Sequence, residues 1–227
     1  MSVIVENMQR NSGAPVVLNF TDEFNAAAGA YLGNNWNCIA APDNGQSGPN
    51  VDISINVAGG QAIFGDGSAV NYLSGRVLLF PNTVYLPRIQ QIAMTPGRGQ
   101  FSQVKLTTYV AGNGATLIGV LYKPTSLFTG GYALFIDGGT TAVGLAGHGM
   151  TFSANVFNFS INDVIRLEAI FVSSAKITLN VFQNGILRGT FDDTSAGRII
   201  DGGMYGLFWV GSLTSRIGFD TYSGGVI

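Results

Sequence analysis

The residues able to do chemistry are few and scattered. The acidic candidates are Asp22-Glu23, Asp137, Glu168, Asp192-Asp193 and Asp220. Cleavage of a glycosidic bond needs two carboxylates on one face, about 5–10 Å apart, one acting as acid and the other as nucleophile or base. Residues two apart in an extended chain share a face, whereas adjacent residues point to opposite sides. Asp22-Glu23 and Asp192-Asp193 are therefore divided between faces. Glu168 stands two residues from Arg166, where an exposed same-face ion pair is expected. The single histidine, His148, sits in Gly144-Leu-Ala-Gly-His-Gly-Met150 with no nucleophile elbow to match. It lacks the setting of a Ser-His-Asp site and reads as an exposed loop residue.

Cys38 is the one cysteine, which excludes an internal disulfide and a zinc cluster and leaves a small buried thiol as the expectation. An oxygen-ligated metal would draw on Asp137, Asp192, Asp193 or Asp220, but no EF-hand spacing is present and turn aspartates ordinarily form Asx turns. No metal and no cofactor are expected. Glycan contact would use aromatic rings stacked on sugars, for which Tyr72, Tyr205, Trp209 and Tyr222 are the candidates. Alternation puts Tyr205, Leu207 and Trp209 on one face, an arrangement that more often belongs to a core.

The elements that would carry these residues are strands. Ile165, Leu167, Ala169 and Phe171 alternate with Arg166 and Glu168; after Ser173-Ser174-Ala175, Ile177, Leu179 and Val181 alternate with Thr178 and Asn180. A period of two marks a pleated strand with one apolar face. Asn184-Gly185 is the pair expected at a two-residue hairpin turn, with Leu187 to Phe191 returning as a third strand. Three such strands need a second sheet to cover them. Further strands are expected at Val16 to Phe20, Val51 to Val57, Gln61 to Phe64, Gln100 to Val110, Thr116 to Tyr122, Tyr132 to Ile136, Thr141 to Leu145, Asn155 to Phe159, Gly206 to Gly211 and Ser215 to Tyr222. Gly112-Asn113-Gly114 predicts a hairpin between the strands on either side of it. Asp137-Gly138-Gly139 predicts another, and one helical turn is expected near Glu23 to Ala28. Turns at roughly ten-residue intervals are the pattern of a sandwich or barrel, and the apolar face that needs a second sheet makes the expectation an all-β antiparallel sandwich.

With 227 residues the chain suits one large β domain, here 18–227, preceded by a short arm at 1–17 in which Val3, Ile4 and Val5 could add an edge strand. Charged residues make up 11% of the chain, against about 25% in a typical soluble domain. Such a surface suits packing against neighbours. The net charge of −2 gives no footprint for nucleic acid, and no apolar stretch approaches a membrane helix. The first residues lack the basic start and apolar run of a secretion signal, so synthesis in a cytoplasm is expected.

Asp22-Glu-Phe24 followed by Leu32-Gly-Asn-Asn-Trp36, Tyr132-Ala-Leu-Phe-Ile136, Asp163-Val-Ile-Arg-Leu-Glu168, Ile177-Thr-Leu-Asn-Val-Phe-Gln-Asn-Gly185, Thr190-Phe-Asp192, Gly206-Leu207 and Ile217-Gly-Phe-Asp220 together resemble the concanavalin A-like lectin/glucanase (laminin G-like) jelly roll, notably of bacteriophage structural proteins. The likeness spans about residues 17–225. It implies a virion protein made in the host cytoplasm, most simply a capsid decoration protein. Such a protein binds a major capsid protein or tail components through its arm and its charge-poor sheets. A homo-oligomer, a trimer by analogy, goes with that reading. The family also includes lectins, which implies the alternative of a glycan-binding module in a head or tail fibre. Its glucanases carry alternating acids on one strand, a pattern missing from this chain, so an enzyme acting on polysaccharide is the third reading. Fold alone does not decide among them.

Overall fold

The computed structural model describes residues 20–23, 36–42, 56–57, 62–64, 75–81, 95–110, 115–122, 131–136, 140–147, 150–200, 202–211 and 216–227. These residues form fifteen strands: β1 (Phe20–Asp22), β2 (Trp36–Pro42), β3 (Asn56–Val57), β4 (Ala62–Phe64), β5 (Gly75–Pro81), β6 (Gly99–Val110), β7 (Ala115–Tyr122), β8 (Tyr132–Ile136), β9 (Ala142–Gly147), β10 (Met150–Asn158), β11 (Val164–Ser173), β12 (Lys176–Gln183), β13 (Ile186–Asp193), β14 (Met204–Gly211) and β15 (Arg216–Val226). No helix occurs among the described residues. The expected helical turn near Glu23 to Ala28 and the 1–17 arm, with Val3, Ile4 and Val5, lie outside them.

Two antiparallel sheets result. One has eight strands in the order β13-β12-β11-β6-β15-β4-β3, with β1 also paired to β15; the other has seven, in the order β10-β9-β8-β7-β14-β5-β2. Their facing sides make one core, into which β11 sends Ile165, Leu167, Ala169 and Phe171 and β12 sends Ile177, Leu179 and Val181. The seven-stranded sheet answers with Ile118, Val120, Tyr132, Leu134, Ile136, Val143, Leu145, Tyr205 and Leu207. Burial of this apolar surface, at about 25 cal/mol per Å², is what drives the two layers together.

The three-strand unit follows the alternation of its sequence. Asn184 and Gly185 adopt φ of 54° and 78°, and Gln183 pairs with Ile186 across them, as a two-residue turn with two positive-φ positions requires. One departure sits just beyond the turn. Phe182 pairs with Leu187 but Val181 pairs with Gly189, so Arg188 is the extra residue of a β-bulge.

The hairpin expected across Gly112-Asn113-Gly114 is not formed. β6 pairs with β11 and β15 in the eight-stranded sheet, while β7 pairs with β8 and β14 in the other. Both strands send apolar side chains to the same core, Val104 and Leu106 from β6 and Ile118 and Val120 from β7, and placing them in opposite layers lets these pack against one another. β8 does pair with β9, but with Ile136 opposite Val143, a connection two residues longer than the sequence suggested.

Polar side chains fasten the layers. Gln100, buried on β6, donates from Nε2 to the Gly203 carbonyl at 2.6 Å and accepts the Leu121 amide at 3.1 Å. Ser102 Oγ donates to the Gly206 carbonyl at 3.1 Å and is hydrogen-bonded to the Tyr222 hydroxyl at 3.1 Å. Tyr132 on β8 donates its hydroxyl to Asp193 Oδ2 at 2.6 Å and accepts the Ile199 amide at 3.3 Å. Each pairs a buried polar group that would otherwise carry a desolvation penalty.

Candidate ligand face

A row of very small residues crosses the side of the seven-stranded sheet turned away from the core. Ile118 and Val120 are buried in the core, so Gly119 between them faces away from it; by the same alternation Ala133 lies between Tyr132 and Leu134, and Ala146 next to Leu145. The strand registers bring these positions into line: Gly206 opposite Gly119, Gly119 opposite Ala133, Ala133 opposite Ala146, and Ala146 opposite Thr151. The row crosses β14, β7, β8, β9 and β10. At about 4.8 Å per strand it extends about 19 Å.

A ring stands beside this row. Phe135, half-buried on β8, occupies the next outward position and is paired with Gly144. A Cβ at Gly144 would lie 2.4 Å from Phe135 Cζ, so the ring rests across the glycine where any larger residue would displace it. Gly119, Ala133 and Gly206 are buried, Ala146 and Phe135 are half-buried and Thr151 is exposed, so the row is a shallow trough open to solvent only toward β9 and β10, with Phe135 as its aromatic wall.

The same sheet is almost without charge. Across its strands, Trp36–Pro42, Gly75–Pro81, Ala115–Tyr122, Tyr132–Ile136, Ala142–Gly147, Met150–Asn158 and Met204–Gly211, the one ionisable acid or base among Asp, Glu, Lys, Arg and His is Arg76. The polar group in register with the row is the Thr151 hydroxyl, exposed on β10.

Among the described residues the carboxylates belong to the other sheet and its turns, where they are engaged. Glu168 Oε1 lies 2.7 Å from Arg166 Nη2, and the Arg166 guanidinium sits 3.9 Å over the Phe101 ring. The expected Arg166–Glu168 pair is therefore present, but half-buried, with side-chain exposures of 26% and 14%. Asp192 accepts from Lys176 Nζ at 2.9 Å and from Thr178 Oγ1 at 2.7 Å. These donors hold its carboxyl below the usual aspartate range. Asp193 points inward to Tyr132 and accepts the Ser195 amide at 2.9 Å. The adjacent acids thus divide between faces, as their spacing requires. Asp220 pairs with Lys105 at 2.7 Å.

Asp163 forms a clamp. Burial alone would raise its pKa, but donation by the Ser160 amide and by the Asn184 and Gln183 side-chain amides outweighs it and holds the carboxyl below the usual range. Among the described residues no group of three or more His, Cys, Asp and Glu could hold a metal ion.

Two of the residues proposed for glycan contact are corrected. Tyr205 and Tyr222 are 2% and 0% exposed and belong to the core. Burial pushes both hydroxyls well above the ordinary tyrosine pKa. Their rings fill the space between layers beside Gly224, where a Cβ would meet both. Trp209 belongs to β14 opposite Val77, and Cys38 to β2 opposite Leu79; their side chains, like Tyr72, Asp137 and His148 altogether, lie outside the described residues. Phe135 and the small-residue row went unnoticed in the sequence. Gly144-Leu-Ala146 does show small residues at alternate positions, but only the registers reveal that Gly119, Ala133 and Gly206 continue the line.

No family model matches the chain, and no curated protein matches it in sequence. Solved structures do match in fold. An endo-acting O-glycanase structure, from work on mucin breakdown by human gut microbiota, shares 12% identity at a TM-score of 0.56, covering 90% of this chain and 97% of its own. A β-1,3-1,4-glucanase (lichenase) from a mouse hindgut metagenome shares 12% identity at 0.50, with 90% and 97% covered. Lectin I of Ulex europaeus, solved with the methyl glycoside of α-L-fucose, shares 10% identity at 0.51, with 92% and 98% covered. The chain therefore has the concanavalin A-like jelly-roll fold of lectins and glucanases. None of these structures links it to a bacteriophage.

Proposed function

We propose that this protein is a non-catalytic glycan-binding module that holds an uncharged saccharide in the trough of its seven-stranded sheet. The observation that carries the reading is the row Gly206–Gly119–Ala133–Ala146–Thr151 beside the Phe135 ring, in a sheet whose strands contain no carboxylate. Sugar rings need a flat apolar surface for their C–H faces and nearby hydroxyl or amide partners for their hydroxyls. The trough offers the first through Phe135 and the half-buried Ala146, and β10 offers the second through the exposed Thr151. Hydrolysis would need two opposed acids, and the strands flooring the trough supply none. The lectin and glycosidase folds among the similar structures agree with glycan binding.

A glycan array probed with the purified chain, followed by calorimetry on each hit, tests this reading. Binding to neutral oligosaccharides that is lost in Phe135→Ala supports it. An array without hits, or binding indifferent to Phe135, removes it. A second reading, a virion decoration protein docked on capsid or tail components, is favoured only by the charge-poor sequence, at 11% charged residues. Deleting residues 1–15 and following incorporation into particles would test it.

A further inference from the structure

The turn between β12 and β13 has chemistry of its own. Asn184 and Gly185 are both exposed, and nothing lies within 4 Å of the place where a Gly185 Cβ would be. In an Asn-Gly pair no side chain shields the following backbone nitrogen, so that nitrogen can attack the asparagine Cγ. A Gly185 N–Cγ bond forms, the Cγ–Nδ2 bond breaks, and ammonia departs. Water then opens the cyclic imide at either carbonyl, leaving a carboxylate at position 184 in a normal or a rearranged backbone. No oxidant or reductant is required.

The native hairpin restrains this reaction. Asn184 Nδ2 donates to Asp163 Oδ1 at 2.7 Å, and Asn184 Oδ1 accepts the Val164 amide at 2.9 Å. The Asn184 backbone amide donates to the Val164 carbonyl at 2.8 Å. Asp163 is fixed in turn, its Oδ2 accepting the Ser160 amide at 2.7 Å and Gln183 Nε2 at 2.5 Å. Cγ cannot swing toward the Gly185 nitrogen without breaking two of these bonds.

We infer that Asn184-Gly185 is a self-modification site whose rate is set by the Asp163 clamp and whose product breaks that clamp. While Asp163 holds the amide, the asparagine is protected. Once converted, position 184 presents a second carboxylate to Asp163 in place of a donor, and the pair repels. The loss falls on the hairpin tip carrying Ile186 and Leu187, which are 56% and 51% exposed. The change is one-way, so it marks the age of the molecule.

The test follows the peptide spanning 184 and 185 by mass spectrometry in the full chain, held in mildly alkaline buffer with and without urea. Conversion is expected to run roughly tenfold or more slower in the folded chain, because the reactive geometry is reached only by local opening. Asp163→Ala, where folded by circular dichroism, should close most of that gap. Asn184→Asp, the product mimic, should lower Tm by about 5 °C. Equal rates with and without urea overturn the inference, as does folded Asp163→Ala converting as slowly as the parent. If Asp163→Ala does not fold, Asn184→Asp decides, and an unchanged Tm overturns the clamp's role.

Discussion

The two sheets are alike on the inside and opposite on the outside. Inward, each presents aliphatic and aromatic side chains to one core. Outward, the eight-stranded sheet carries Lys105, Arg166, Glu168, Lys176, Asp192 and Asp220, tied in three cross-strand or same-face pairs. The seven-stranded sheet has Arg76 alone among its strands and shows glycine and alanine where the other shows charge. One sheet therefore spends its outer surface on partners within the chain. The other carries small residues that are buried at Gly119, Ala133 and Gly206 and accessible only toward β9 and β10. A fold with two similar layers thus has one outer face closed by ion pairs and one that is nearly uncharged and open at its β9–β10 end.

If the difference is confined to the outer faces, truncations in the core should not distinguish the sheets. Leu167→Ala on β11 and Leu145→Ala on β9 each remove a fully buried side chain, and each should destabilise by about 2–5 kcal/mol. Matched urea denaturation curves measure both. A large disparity would mean that the layers contribute unequally to the core and would break the comparison at its base.

Next in size is an effect on binding alone. Phe135→Ala removes the trough's wall and should weaken glycan binding at least tenfold, by roughly 1.4 kcal/mol or more. Its half-buried position should keep the stability change smaller than that of Leu145→Ala. Ala146→Leu raises the half-buried floor opposite Thr151 and should have the same effect on binding from the other side. Calorimetry with thermal melts separates the two quantities, and loss of binding only in step with loss of fold would count against an open face.

The fold was legible where the alternation was strict. Ile165 to Phe171 and Ile177 to Val181 announce strands, Asn184-Gly185 announces its turn, and the sandwich follows from their shared apolar side. Sheet membership was not legible. A glycine-rich link at 112–114 looks the same whether it joins neighbours in one sheet or crosses between two, and β6 and β7 prove to cross. The trough was hidden for a related reason: glycine and alanine read as weak strand residues until the registers align them. Tyr205 and Tyr222 misled because tyrosine has both a ring fit for a core and a hydroxyl fit for a surface. Ser102, remote in sequence but on the neighbouring strand β6, lets the Tyr222 hydroxyl be buried without an unmet hydrogen bond.

Within the closed face, Arg166→Ala should cost about 1–2 kcal/mol. It removes the guanidinium from the Phe101 ring and leaves Glu168, only 14% exposed, without its cation. The Asp163 clamp gives the same end of the sheet a pH dependence. Its folded pKa lies below that of the unfolded chain, so the stabilisation is complete above the ordinary aspartate value, about 3.9, and is lost as pH falls through the lower folded value. Asp163→Asn should flatten the acid limb of a Tm-against-pH curve. An unchanged limb would place the acid sensitivity elsewhere.

The smallest effect is expected from the most visible ion pair. Lys176 and Asp192 are 2.9 Å apart but 37% and 44% exposed, so water screens their attraction and two flexible side chains must be ordered to make it. Lys176→Ala should cost no more than about 0.5 kcal/mol, shrinking further in high salt. Thr178 still donates to Asp192 when Lys176 is gone, which leaves the carboxylate partly satisfied. Denaturation of the variant at low and high salt reads this directly. A cost above that of Arg166→Ala would mean that the charges of the closed face act as a network, so that its outer surface contributes to holding the fold.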